Sequence, residues 1–163
     1  MLLYHGSYTI IKRPHLLKNQ RMHDFGDGFY LTTDKEQAKK WARIVYNRIQ
    51  KTQLDANPIV NIYNIRKVNI NSLNILYFPK QNIEWLNFIT LNRIIGSINN
   101  AYDIIIGPVA DSKPYNILLN YKNDIIDAKT AIQLLHSERL SNQYVFKTNK
   151  AIKFLEFRGE EHV

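Results

Sequence analysis

Asp24-Phe25-Gly26-Asp27-Gly28-Phe29-Tyr30-Leu31-Thr32-Thr33-Asp34 is the stretch from which the rest of the chain is read. Residues 29–32 are aromatic, aliphatic and β-branched, which predicts a strand entered through Gly26 and Gly28. Asp34 is a good N-cap, and Gln37 occupies the capping-box position three residues on. Behind it Ala38, Trp41, Ala42, Val45 and Ile49 recur at helical spacing, so 35–52 is expected to be an amphipathic helix.

Outward from this unit the pattern stays mixed. Residues 1–5 predict a short strand that ends at Gly6-Ser7, and 6–23 a long polar, basic loop. Strands are expected at 59–65, 73–78, 103–106 (stopped by Gly107-Pro108) and 143–147, with another at 152–157. The stripe Trp85, Phe88, Ile89, Ile95 predicts a helix over 84–95 ended by Gly96, and Asp127 caps one running to about 140. Short strands mixed with three or four helices, without strict alternation, predict the α+β class in one domain over 1–163.

Composition narrows the function classes. No apolar run approaches the roughly 18 residues of a membrane span, and the N-terminus shows no signal-peptide pattern. The absence of cysteine excludes disulfides, thiolate ligands and a cysteine nucleophile, and fits a cytoplasmic location. Lys plus Arg is 22 against 14 Asp plus Glu, and the resulting +8 favours polyanionic partners such as nucleic acid or an acidic protein. Much of the excess sits at Lys35, Lys39, Lys40, Arg43, Arg48 and Lys51, which also reads as a solvated helix face.

Most catalytic templates are absent: no Walker loop, no G-x-S-x-G, no H-E-x-x-H. His5, His15, His23, His136 and His162 show no metal-ligand spacing, so no metal is expected. Asp24-Phe25-Gly26 has no kinase lysine or catalytic loop to accompany it. Three segments remain. Tyr4-His5-Gly6-Ser7 ends a strand where glycine permits close approach to the backbone. Tyr30 follows the glycine-bent entry, with Trp41 on the next helix; two such rings can sandwich a flat heterocycle, or simply pack in the core. Ser141 to Phe146 runs from a loop into a strand.

Taken together, Tyr-His-Gly-Ser at 4–7, Gly-Asp-Gly-Phe-Tyr-Leu-Thr at 26–32, Ala38 to Trp41 and Asn-Gln-Tyr-Val-Phe at 142–146 resemble the motif order of ADP-ribosyltransferases. The branch resembled is the diphtheria-toxin and poly(ADP-ribose)-polymerase one, with its His, Tyr, Glu signature. Within it the chain is most similar to small bacterial proteins often encoded beside antitoxin-like partners. Residues 24–32, 103–111 and 143–157 carry that closer likeness. The resemblance implies two small packed β-sheets flanked by helices, with NAD⁺ in the cleft between. It implies that His5 hydrogen-bonds the adenosine ribose and that the Gly6 backbone holds the nicotinamide carboxamide, with Ser7 beside it. It implies that Tyr30 stacks on nicotinamide and that Trp41 stands where polymerases put a second tyrosine. Ala38 replaces a serine that touches the carboxamide, and Gln143 falls at the catalytic glutamate.

A glutamine accepts a hydrogen bond from the ribose 2′-hydroxyl but carries no charge and cannot act as a base. Three readings of Gln143 stay open: the target supplies its own base, a nearby acid such as Glu138 compensates, or only binding remains. Asp24 and Asp103 either cap turns or line the NAD⁺ cleft, while Arg43 and Lys12 are candidates for the pyrophosphate. The loop 137–143 is where the resemblance implies target recognition. The functional expectation is a mono-ADP-ribosyltransferase, the toxin of a toxin–antitoxin pair, modifying a protein or nucleic-acid acceptor with NAD⁺ as co-substrate. Two alternatives stand beside it: a catalytically silent NAD or ADP-ribose-binding module, and a basic nucleic-acid-binding domain.

Overall fold

The computed structural model describes residues 1–16, 23–66, 70–96, 101–110, 113–136 and 141–163. In chain order the elements are β1 (Leu2–Ser7), β2 (Phe29–Thr32), α1 (Lys35–Ile49), β3 (Ile59–Ile65), β4 (Ile75–Tyr77), α2 (Ile83–Thr90), β5 (Ile104–Pro108), α3 (Pro114–Lys122), α4 (Ala128–Leu135), β6 (Asn142–Phe146), α5 (Asn149–Ile152) and β7 (Leu155–His162). The class is mixed α and β, as the patterning predicts.

The strands form one sheet in the order β4-β5-β6-β2-β1-β3-β7, parallel only between β4 and β5. This corrects the expectation of two separate sheets. The join is nevertheless thin. β1 runs against β3 from the Leu2–Asn64 pair to the Ser7–Ile59 pair, and β2 against β6 from Phe29–Phe146 to Thr32–Gln143. Between β1 and β2 the aligned pair is Tyr4 with Thr32 alone. A four-strand half and a three-strand half therefore hinge on one residue pair, because β1 and β2 part immediately after it.

Strand alternation explains the packing. Leu3, Phe29, Leu31, Tyr63, Ile104 and Phe146 bury one face. Their neighbours Val145 and Ile105 point the other way, under Trp85, Leu86, Ile89, Leu118, Ala131 and Leu135 of α2, α3 and α4. Each such large side chain contributes about 1.5–3 kcal/mol on burial. On the three-strand half the same face is covered by α1, whose Ala38 and Ala42 meet Val60.

Helix α1 starts where Asp34 accepts from the Glu36 and Gln37 amides at 2.9 and 3.2 Å. The reciprocal half of the expected capping box is rerouted. Gln37 accepts from the Thr32 hydroxyl at 2.6 Å, and that hydroxyl accepts the Asp34 amide at 3.1 Å. The expected helix over 84–95 is α helical only to Thr90 and continues as a π-helical turn, Leu91–Ile95, before Gly96 at φ +112°. The expected strand over 152–157 is corrected to a short helix capped by Thr148 and then β7. Helix α3 has no counterpart among the expected elements.

Candidate functional site

Thr32 sits in the middle of a row that crosses the hinge, with Gln143 on one side and Tyr4 on the other. His5, Tyr30 and Gln143 all lie on or within two residues of this row. Two strand spacings span roughly 9–10 Å across this row.

His5 occupies the opening where the strands separate. Its Nδ1–H donates to the Tyr30 carbonyl at 2.7 Å, a bond that stands in for the ladder lost beyond Tyr4. The ring stacks on Phe29, with centroids 4.3 Å apart. Donation from Nδ1 fixes the neutral tautomer and leaves Nε2 as the lone-pair acceptor. Burial holds the imidazole below its ordinary pKa, partly opposed by the Tyr30 bond, so His5 is neutral at pH 7. Gly6 and Ser7 follow in β1, both buried, with the Gly6 Cα against α1.

Tyr30 has a committed hydroxyl and a half-buried ring. Its Oη donates to the Gly26 carbonyl at 2.6 Å and accepts the Phe25 amide at 3.2 Å. Burial, then the Asp24 charge, pushes its pKa well above the ordinary value, so it stays protonated. The ring lies 5.1 Å from that of His23. The turn it grips needs its glycines: Gly26 has φ +72°, and a Cβ on Gly28 (φ +158°) would stand 2.5 Å from Val145 Cγ1. Lys147 secures the same turn, donating from Nζ to the Phe25 carbonyl at 2.6 Å. Burial lowers that ammonium to about 8, with Asp27 opposing.

Gln143 is buried on β6, opposite Thr32 and Gly107. Its Nε2 donates to Asp24 Oδ2 at 3.0 Å and, more weakly, to the Pro108 carbonyl at 3.4 Å. Asp24 is only 3% exposed and is held on every side. Oδ1 pairs with Arg93 Nε, and Oδ2 also accepts the Ala110 amide at 3.2 Å. Phe25 carries Asp24 to this place: its ring lies over Gly107, where a Cβ would stand 2.9 Å from Phe25 Cζ. Neither Arg93 nor the Ala110 amide was signalled by the sequence, since their partner is 69 and 86 residues away.

The other candidates fall elsewhere. Trp41 is 42% exposed with Arg48 stacked 5.4 Å from its centroid, which corrects the core-packing reading. The ring neighbours of Tyr30 and Trp41 are His23 and Arg48 respectively. Asp103 lies at the opposite end of β5 from Gly107. It accepts from Thr148 Oγ1 at 2.6 Å and the Asn74 amide at 3.0 Å, bonds that hold its carboxyl below the usual range. That geometry is a cap. Lys12 and Arg43 are exposed, and Glu138 with most of the loop 137–143 lies outside the described residues. Within the basic run, Lys35 and Lys39 pair with Glu161 of β7.

Among the described residues, no cluster of three or more His, Asp or Glu is arranged to hold a metal, and no helix is long and apolar enough to cross a membrane. Two surface hollows, of about 310 and 450 Å³, are lined by 8–9 with 53–56 and by the α2–α3 face, away from His5, Tyr30 and Gln143.

A family model described as "Protein of unknown function (DUF3990)" matches residues 1–157, and the chain belongs to that family. No curated protein and no solved structure matches it.

Proposed function

We propose that this DUF3990-family chain is a mono-ADP-ribosyltransferase that uses NAD⁺ as co-substrate and acts as the toxin of a bacterial toxin–antitoxin pair. One observation carries the reading. His5, Tyr30 and Gln143, the three residues to which the ADP-ribosyltransferase resemblance gives roles, all lie within two residues of the single pair that joins the two halves of the sheet, the His5 ring on the Phe29 face and Tyr30 and Gln143 on the other.

The residues present fit such a substrate. The Nδ1 bond of His5 leaves Nε2 to accept from a ribose hydroxyl. The Tyr30 hydroxyl is spent on the turn, so its ring is what a flat heterocycle meets. The Gln143 amide, donating through Nε2, presents Oε1 to a 2′-hydroxyl. NAD⁺ supplies the ADP-ribosyl group: the C1′–N bond breaks with its electron pair leaving on nicotinamide, and an acceptor nucleophile bonds C1′ and loses its proton to solvent. A negative environment stabilises the positive charge that develops on the ribose, an effect worth on the order of 10²–10³ in rate.

The neutral amide at Gln143 favours a second reading, a module that binds NAD⁺ or ADP-ribose without turnover. Incubation of the chain with adenine-labelled NAD⁺ and bacterial lysate, with and without nuclease, separates the two. The expected result is label on a macromolecule, lost in H5A and Q143A, and growth arrest on expression that H5A relieves. NAD⁺ binding without nicotinamide release selects the silent module. Absence of NAD⁺ binding rejects both, and salt-dependent nucleic-acid binding in its place would leave the basic-domain alternative.

A further inference from the structure

Resting on that reading of the site, we infer that Asp24 is the carboxylate of this site and works through Gln143 as a positioning residue. The charge that a glutamine lacks is one hydrogen bond away, on a side chain 119 residues distant in sequence.

The amide can adopt only one orientation. Nε2 has two N–H groups and faces two acceptors, Asp24 Oδ2 and the Pro108 carbonyl. Turning the amide over would set Oε1 against a carboxylate and a carbonyl, three acceptors with no donor between them. Asp24 therefore fixes Oε1 as the atom offered to a ligand. A charge-assisted bond to its NH₂ group also polarises the amide, so that Oε1 accepts more strongly than an isolated glutamine would.

Three separate elements are shaped to keep this charge buried. The turn after 23 places Asp24, with Phe25 packed over Gly107 and Tyr30 and Lys147 gripping the backbone. The loop after β5 supplies the Ala110 amide. The π-helical turn supplies Arg93, whose side chain is 24% exposed against 3% for Asp24. Within that turn the neighbouring Asn92 is wholly buried, and its Oδ1 has no hydrogen-bond partner among the described residues. Single π-helical turns recur at functional sites, and this one carries the Arg93 that pairs with Asp24.

The test is a charge-relocation cycle on the full chain: wild type, D24N, Q143E and D24N/Q143E. The readouts are nicotinamide release from NAD⁺ and urea unfolding as a function of pH. D24N is expected to lower kcat by about 10- to 100-fold with KM nearly unchanged, the scale seen when a supporting partner of a reactive ligand is removed. Q143E alone is expected to be impaired as well, because two carboxylates about 3 Å apart cannot both ionise. Its stability should fall progressively below that of wild type as pH rises past the carboxylate range. D24N/Q143E should recover kcat to within a few-fold of wild type and lose that pH-dependent instability, because the charge beside Arg93 has then moved from β2's approach turn to β6. Should D24N fold poorly, recovery in the double variant still decides.

Unchanged turnover in D24N, or a double variant as slow as the two singles multiplied, overturns the inference while leaving the transferase reading intact. A wild type that binds NAD⁺ and releases no nicotinamide overturns both, even if the pH signature of Q143E shows that the pair exists.

Discussion

Gly6 of β1 lies flat on α1, with the position of a Cβ 2.7 Å from the Ala42 amide nitrogen and closer still to the Ala38 carbonyl. Both neighbours are helix backbone, which cannot swing aside as a flexible side chain would. G6A should therefore destabilise the fold by about 3 kcal/mol, the upper end for overpacking, read as a lowered urea midpoint at unchanged m. Ala38, whose carbonyl makes the closer of these contacts, is itself 2% exposed, so A38S would place a hydroxyl inside this packing.

The two halves of Tyr30 do different work, and two substitutions separate them. Y30F removes the bonds to Gly26 and Phe25 and should cost about 1–3 kcal/mol of stability while retaining the ring. Nicotinamide release from NAD⁺ should stay within several-fold of wild type. Y30A loses the ring too, and release should drop by on the order of 10²-fold. Equal losses in both variants would mean that the turn, not stacking, is what Tyr30 supplies.

The elements that the sequence announces are those with a strong local signal. Asp34 caps α1, Thr32 ends β2, and the apolar alternation of 59–65 reappears as β3 with the same bounds. Helix α3 escapes because Lys113 offers no side-chain cap, its first turn has no acid, and only Pro114 and Leu118 are buried. Strand β7 runs on to His162 as a polar edge strand, Glu-Phe-Arg-Gly-Glu-Glu, where one-sided burial leaves no hydrophobic pattern to read. The site is legible as a set of motifs and illegible as a network. Nothing local indicates that Asp24 meets Gln143, and the π turn that brings Arg93 onto Asp24 has no sequence signature.

His5 should leave a signature in acid. Its folded pKa lies below 6.5 because burial disfavours the imidazolium. Below 6.5 the unfolded chain binds a proton that the folded one refuses. The stability contributed by neutral His5 is thus fully present above 6.5 and is lost as pH falls toward the folded pKa. Asp103, Asp127 and Glu161 all have lowered carboxyl pKa values, so their losses come only at lower pH. In H5N the amide NH₂ can replace the Nδ1–H donor to Tyr30 but does not titrate. Wild type should lose melting temperature between pH 7 and 5 more steeply than H5N, and parallel curves would place the acid sensitivity elsewhere.

Lys147 gives the mirror case in alkali. Burial lowers its ammonium from the ordinary 10.5 to about 8, with Asp27 pulling the other way. Between about 8 and 10.5 the unfolded chain holds the proton more tightly than the folded one, so stability should rise with pH across that window. The neutral amine still donates to the Phe25 carbonyl, so the grip on the turn that carries Asp24 survives deprotonation. K147M removes both the titration and the grip. Its urea midpoint should fall below wild type at every pH and should not climb between 8 and 9.5. Because Asp24 hangs from that turn, K147M should also slow NAD⁺ turnover at pH 7.5, in proportion to the loosening of Asp24 from Gln143. A K147M chain that turns NAD⁺ over at the wild-type rate would show that Phe25 over Gly107 is enough to hold Asp24 in place.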